Sequence, residues 1–550
     1  MTIPLLATFG ALDWAVLSGY FVLLAATGIV FSLRKNENTE DYFLGGRGMP
    51  AWAVAVSVLA TGLSAATFVG GPQQAFDGNL TYLATNLGMI IAAVAVGLLF
   101  LPAFYREKVA TVYGLLERRF GTGAMRAASL AFLMGRVLAS GSRVYIVGIP
   151  AALILFGAQP DAQIPAWQII AAIGVMTAVG IVYTLVGGVA SVIWTDVIQM
   201  AVFVVAIVGA MLVLFDRIPI GLGEVFGELS AAGEDGASKL TLIDTGFRNG
   251  AGFDFSAPFS LPAILVGFTL LGIASYGTDQ DMVQRMLTCK DAKRGAWSVI
   301  SANLLTIPVV SLFLIVGLLL FVFYRRPDLM GEASPGYEVF DSSRVFLSFI
   351  LQELPAGLTG LMMAGLFAAG LSSLNSGLNS MSSTVINDFY RGLRPGRSER
   401  QYLFAARVCV VCWGLVLGGF ASVCVYWQRA DGQTLINFAL GVMSFAYAGL
   451  LGVFFTALLT RRGNTISVIA SLLVGFIAVL VMQPVFWGWF VDLEQTRAAV
   501  SLGGDRPWWL VAVDLAFPWK LALASVISFG VCCLGSSDRK TLENAGAVTP

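Results

Sequence analysis

The segment from Ala368 to Tyr390 reads AAGLSSLNSGLNSMSSTVINDFY, an apolar helix crowded with hydroxyls and amides. Ser372, Asn375, Ser376, Asn379 and Ser383 recur at i, i+3, i+4, i+7 and i+11, a continuous stripe down one helical face. Ser373, Ser376 and Ser380 form a second line beside it. Hydroxyl and carbonyl oxygens are neutral, hard donors. About five of them satisfy a sodium ion, and their weak net charge lets it leave again. Carbonyls freed at a break in a neighbouring helix would complete such a shell. Close helix packing by Ser, Ala and Gly accounts for the serines equally well when they are taken alone.

Two stretches offer such breaks. AVSVLATGLSAATFVGGPQQAF carries Gly62, Ser64, Thr67, Gly70, Gly71 and Pro72. LVGFTLLGIASYGTDQDMVQR carries Gly267, Gly272, Ser275, Gly277 and Thr278. Unwound backbone at membrane depth is tolerated only where it is buried in protein or lines a wet cavity; the competing reading is ordinary glycine packing. Ionisable groups are the other candidates. Asp196 lies inside GGVASVIWTDVIQM, Asp279 and Asp281 lie toward the end of the second stretch, and Arg136 and Arg143 are seven apart on one helical face. Charges inside spans face a cavity or a partner. A structural ion pair for Asp196, and a structural or snorkelling role for the arginines, therefore compete with roles in a site.

The elements that must position these groups are membrane helices. Of 550 residues, 57% are hydrophobic and 12% charged, against about 25% charged in ordinary soluble domains. Lys plus Arg and Asp plus Glu balance at 33 each, so no basic field points to nucleic acid. There is no histidine, hence neither the commonest metal ligand nor the usual general base. With no nucleotide motif and no soluble catalytic domain, an enzyme is the least supported class. Cys289, Cys409, Cys412, Cys424, Cys532 and Cys533 lie in or beside apolar runs without metal-site spacing and read as free thiols. MTIPLLATFGALDW has no positive charge before its apolar run, so the first span is expected to be retained rather than cleaved.

About 20 apolar residues cross a bilayer as helix. Thirteen candidates fall near 13–33, 50–73, 81–103, 126–157, 165–186, 189–215, 259–283, 296–324, 357–386, 401–427, 434–460, 464–487 and 513–535. The segments between them alternate in charge. Lys and Arg gather in RKNENTEDYFLGGR, YREKVATVYGLLERRFGTGAMR, QRMLTCKDAKRG, RGLRPGRSER, TRRGN and DRK. The positive-inside rule puts that set in the cytoplasm, the N-terminus outside and the C-terminus inside a multi-pass cell-membrane protein. The two interrupted stretches each open a run of five helices, as inverted repeats with a midplane site would.

Five motifs then occur in order: EDYFLGGRGMPAW, LSAATFVGGP, GGVASVIWTDVIQ, TDQDMVQRMLTCKD and GLSSLNSGLNSMSSTVINDFYR. Together they resemble the sodium/solute symporter (SSS) family, over roughly 40 to 460. The resemblance implies an all-α membrane protein with a LeuT-type core: a leading helix (13–33), inverted repeats at 50–215 and 259–460, and two trailing helices (464–535) in a single transporter domain. It implies a first sodium site from the carbonyls of Ala60, Leu63 and Ala369 and the hydroxyls of Ser372 and Ser373. A second sodium site, present in some members, would map to Asp196, Asn375 and Ser376; Asn375 stands where several relatives have a hydroxyl. Solute would meet Ser64, Thr67, Asn86, Asp279 and Asn437, with Arg136 or Arg143 pairing a carboxylate as in sialate-type members. Sugar carriers differ: Gly62 and Thr67 stand where they have amides, Asn86 where they have a glutamate, and ANLLTIPVVSLFLIVG lacks their lysine.

The expected function is sodium-coupled symport of a small organic anion or zwitterion by alternating access, for which a monomer in the bilayer suffices. Two alternatives stay open. One is a proton-coupled carrier of the same fold, relayed by Asp196 or Asp279. The other is a membrane sensor or passive channel, against which the short tail after Ser536 counts.

Overall fold

The computed structural model describes residues 9–32, 38–157, 164–231, 238–248, 252–335, 342–431, 435–501, 505 and 507–536. Apolar runs this long bury their backbone polarity only as helix, and helix they are. The principal helices are α1 (Ala11–Ser32), α2 (Thr39–Leu44), α3 (Ala51–Gly62), α4 (Ala65–Asp77), α5 (Thr81–Arg106), α6 (Gly114–Phe120) and α7 (Thr122–Phe156). There follow α8 (Ala166–Leu185), α9 (Gly188–Arg217), α10 (Leu222–Ala231), α11 (Leu261–Thr278), α12 (Gln280–Leu287), α13 (Ala292–Arg325) and α14 (Val345–Gln352). The chain closes with α15 (Leu358–Leu393), α16 (Glu399–Asp431), α17 (Leu435–Leu459), α18 (Thr465–Val481), α19 (Leu493–Ser501), α20 (Trp508–Asp514) and α21 (Phe517–Cys533).

Among the described residues, ten helices are long and apolar enough to cross a membrane. Every expected span contains helix, but four depart from a simple rod, the seventh being divided at Asp279 into α11 and α12. The second is cut into α3 and α4. The twelfth, α18, is only 17 residues long. The last begins at Phe517, where extended backbone at Leu515 and Ala516 bends it 116° away from α20. The expected loop between spans five and six is a single kink at Gly188, held at φ 65° with Tyr42 O 2.8 Å from where a Cβ would sit. Only glycine meets both demands. The long segment after α9 carries α10 and a two-strand ribbon, Phe247–Arg248 against Gly252–Phe253. All six cysteines are free.

The two breaks have different causes. In the second span the helix stops at Gly62 because Leu63 (φ −80°, ψ 93°) and Ser64 (φ −91°, ψ 173°) are extended. Leu63 N still bonds Leu59 O at 2.9 Å, and Ser64 O restarts the helix by accepting Thr67 N and Phe68 N. The carbonyls from Ala60 to Leu63 are left without helical donors. In the seventh span the glycines do not unwind the chain. A Cβ on Gly267, Gly272 or Gly277 would press on Pro518, Ala92 or Phe100, so these residues serve close packing. The break falls instead at Asp279 (φ −91°, ψ 115°), after a π turn at Ala274–Thr278, and the Asp279 carboxylate caps α12 by accepting Asp281 N at 2.9 Å.

The serine-rich helix α15 is deeply enclosed, with 89% of its apolar window buried, a share that α17 matches. It packs on α1, α3, α4, α7, α9 and α12. Glycines set its closeness to α7 and α8: a Cβ at Gly370 would lie 2.3 Å from Val147, and one at Gly180 would lie 2.4 Å from Leu374. Its N-terminus is capped from another helix. Asp13 of α1 accepts Gly357 N at 2.7 Å and Gly360 N at 2.9 Å through Oδ1, and Gly10 N at 2.9 Å through Oδ2. Asp13→Ala leaves two of the amides at the start of α15 unsatisfied, at about 1–3 kcal/mol for a buried donor. The expected outcome is a lowered unfolding midpoint in detergent, with Asp13→Asn, which keeps one acceptor, losing less.

Candidate functional site

The polar stripe of α15 divides by partner. Ser380 and Thr384 bond back to Gly377 O and Ser380 O, Ser382 donates to Ala406 O, and Ser383 accepts from Asn387; these satisfy the helix and its packing. Ser372 is different. It donates to Asp196 Oδ1 at 2.7 Å, and Ser57 of α3 donates to Asp196 Oδ2 at 2.5 Å. One carboxylate thus draws the serine helix against α3 one turn before Ala60. Since the Ser372 proton is committed to Asp196, its oxygen keeps its lone pairs for a cation. Ser373, the adjacent residue, is buried and its Oγ has no partner. Freed carbonyls at the α3–α4 break, one pre-oriented hydroxyl and one unpartnered hydroxyl are an oxygen set of the kind sodium takes.

Asp196 is also one end of a buried chain of charges. Arg285 of α12 reaches Asp196 Oδ2 at 3.3 Å, Ser57 Oγ at 2.9 Å and Asp281 Oδ1 at 2.8 Å. Asp281 is shared with Arg136 of α7 at 3.1 Å and accepts from Ser376 at 3.2 Å. Arg136 also donates to Asp279, which accepts Tyr447 OH at 2.7 Å. Three carboxylates and two guanidiniums thus alternate through the chain, and its end member Asp196 lies beside Ser372.

Next to the α3–α4 break lies a cavity of about 130 Å3. Its wall includes Gly62, Ser64, Thr67, Tyr82, Asn86 and Arg143 on one side, and Ser275, Tyr276, Asn303, Thr306 and Met443 on the other. Tyr276 OH donates to Asn303 Oδ1 at 3.0 Å. Among the described residues Arg143 is the one charged residue of the lining; its Nη2 faces Met443 Sδ at 3.6 Å and its buried Nη1 has no partner there. A guanidinium with an open N–H edge in a largely apolar cavity matches a carboxylate.

Ser64, Thr67, Asn86 and Arg143 therefore share one cavity. Arg136 and Asp279 are a correction to the expectation that both meet solute: they lie outside the cavity wall, paired with each other, because a buried charge is costly until it is neutralised. Asn437 falls within α17, and its side chain lies outside the described residues. Asp196, Asn375 and Ser376 do not converge on one point. Asn375 Oδ1 accepts from Thr184 at 3.2 Å, Ser376 donates to Asp281, and Asp196 holds Ser57, Ser372 and Arg285.

Ser57, Arg285 and Tyr447 complete the charge chain and were not among the expected site residues. Arg285 is legible in QDMVQR as the i+4 partner of Asp281. Ser57 and Tyr447 carry no local signal, since their partners are 139 and 168 residues away.

The model of the sodium:solute symporter family matches residues 42–475. A sodium/sialic acid symporter of Proteus mirabilis is 29% identical over 86% of this chain and 89% of its own length. One from Aliivibrio fischeri is 28% identical over 86% and 88%. A solved structure of a Na+-coupled sialic acid symporter, in a substrate-bound outward-open state, is similar at TM-score 0.75 and 26% identity, covering 96% of this chain and 97% of its own. These relatives are transporters, and the fold they share with this chain is the all-α LeuT-type fold with sodium as coupling ion. The chain belongs to the sodium:solute symporter family.

Proposed function

We propose that this symporter moves a carboxylate-bearing anion or zwitterion with sodium by alternating access, and that Arg143 meets the carboxylate. The observation that carries the reading is the open Nη1 edge of Arg143 in a cavity that has no other charged wall residue among the described residues. Ser64, Thr67 and Asn86 supply neutral hydrogen bonds on the same wall. The two sodium/sialic acid symporters reported above are named for a carboxylate, which agrees with this choice of class, whereas a sodium/glucose and a sodium/iodide cotransporter at 27% identity are named for solutes without one.

The proposed sodium site comprises the carbonyls of Ala60, Leu63 and Ala369 with Ser372 and Ser373. It is supported by the helix break, by the commitment of the Ser372 proton to Asp196 and by the unpartnered Ser373 Oγ. Sodium there would bridge the segment 50–215 to the segment 259–460, which we propose as the two inverted repeats, and so favour one side of the access cycle. A second sodium at Asp196, Asn375 and Ser376 would require these groups to leave Arg285, Thr184 and Asp281, so one ion per cycle is the reading for this conformation. The alternating Lys and Arg segments support an external N-terminus and a cytoplasmic C-terminus. With one sodium per cycle the potential contributes ~2.3 kcal/mol per 100 mV when the solute is a zwitterion and cancels when it is a monoanion, and the sodium gradient contributes ~1.4 kcal/mol per tenfold in either case.

In proteoliposomes loaded through a sodium gradient, uptake of N-acetylneuraminate or a simpler monocarboxylate should vanish when choline replaces sodium. Uptake that persists in choline contradicts the reading. Ser373→Ala should abolish the sodium stimulation while the protein stays monodisperse. Arg143→Gln should weaken an anionic solute at least tenfold while changing a neutral analogue little; equal loss of both would make Arg143 structural. A Hill coefficient for sodium near one is expected, and one near two would restore the second ion.

A further inference from the structure

The polar face of α15 continues beyond the sodium site. Ser373, Gly377, Ser380, Thr384 and Asp388 follow one another at steps of three or four residues, a line along one face. At its far end the helix widens into a π turn, Val385–Tyr390, and this turn carries Asp388. Such turns are frequent at functional sites.

Asp388 is 4% exposed. Its Oδ1 accepts Thr111 Oγ1 at 2.6 Å and its Oδ2 accepts Ser129 Oγ at 2.6 Å. Ser129 Oγ also lies 2.9 Å from Met125 O. No ion pair to Asp388 occurs among the described residues, and the charged side chain that acts on it is Glu117, another acid. A buried carboxylate ordinarily finds a positive partner. This one has two hydroxyls and a like charge instead. It opens onto a separate cavity of about 420 Å3 whose wall carries Arg47, Lys108, Arg118 and Arg391 together with Glu40, Glu107 and Glu117.

The line between the two ends is polar on both sides. Across from Gly377, Ser140 of α7 is fully buried with no partner for its Oγ, which lies 3.0 Å from where a glycine Cβ would be. Two hydroxyls without a partner among the described residues, Ser373 of α15 and Ser140 of α7, thus lie along the face of α15 that ends at the Asp388 carboxylate, while Ser380 and Thr384 between them bond backbone carbonyls.

We propose that Asp388, with Thr111 and Ser129, is a further cation site, which takes sodium at the cytoplasmic end of α15 as the ion leaves. The proposal rests on the sodium site and membrane orientation given above. Thr111 belongs to the segment between α5 and α6, where Val112 N bonds Gln280 Oε1 at 2.9 Å. The same hydroxyl that ligates the ion therefore ties this segment to α15, and an ion at Asp388 would draw on a ligand that also links α15 to the region of the second helix break.

The test is equilibrium binding of 22Na+ to purified protein, titrated to high sodium with choline holding ionic strength. Wild type should show two components, and Asp388→Asn should lose one of them while keeping the Ser373-dependent one. Ser373→Ala should lose the other, and the double variant both. Thr111→Ala, which retains the carboxylate, should weaken the Asp388-dependent component severalfold, and Asp388→Glu should restore it in part; these variants decide the matter if Asp388→Asn does not fold. An Asp388→Asn isotherm that matches wild type overturns the proposal, as does a loss of all sodium binding in that variant. A change confined to the pH dependence of binding, with the sodium count kept, also overturns it and assigns a proton to Asp388. If Ser373→Ala leaves binding unchanged, the first sodium site fails independently of this one.

Discussion

The rest of the structure depends on how Arg285 is shared. It stands between Asp196 of α9 and Asp281 of its own helix, and it also bonds Ser57 of α3. Through Asp281 the chain passes to Arg136, and from there to Asp279 and Tyr447. Removing one member of a buried pair costs about 3–5 kcal/mol, because the survivor is left uncompensated. Five helices are therefore held in register by charges that none of them can relocate alone. The same chain orients Ser372, since the carboxylate that Arg285 helps to neutralise is the one to which Ser372 donates.

That constraint separates two arginines which lie on one face of one helix. Arg136 is paired through Nη2 with Asp279 and through Nη1 with Asp281, and its Nε alone has no partner among the described residues. Arg143, two turns on, has no carboxylate partner among the described residues and faces the cavity with its Nη1 open. Two carboxylates make the first a fixed strut, and the lack of one makes the second the proposed partner of an anion. Sodium and solute then share α3–α4: its freed carbonyls are the proposed ion ligands, and Ser64 and Thr67 line the cavity. On this proposal a single break serves both partners of the symport.

Much of this arrangement was legible in the sequence because it is local. Hydrophobic runs marked the helices and hydroxyl spacing marked the face of α15, while the connection expected between spans five and six is only the kink at Gly188. The glycines of the seventh span misled, since close packing on Pro518, Ala92 and Phe100 leaves the same composition as unwinding. The break there belongs to Asp279, whose side chain replaces lost helical bonding by capping α12. Partners distant in sequence were not legible. Nothing near Asn375 tells that Thr184 takes it, and nothing near Asp196 tells that Ser57 and Arg285 fill its remaining oxygen. Asp13 was invisible for the same reason: its role is to cap a helix 344 residues later.

The central claim is that an ion held between the α3–α4 break and Ser372–Ser373 ties the two halves together. A ligand that binds only the folded state stabilises it by RT ln(1 + [L]/Kd), about 1.4 kcal/mol at ten times Kd. The direct measurement is the thermal midpoint of purified protein titrated with sodium chloride against equimolar choline chloride. The account predicts a midpoint that climbs with sodium in wild type and is flattened in Ser372→Ala and Ser373→Ala. A wild-type midpoint indifferent to sodium, or an equal climb in both variants, would contradict it.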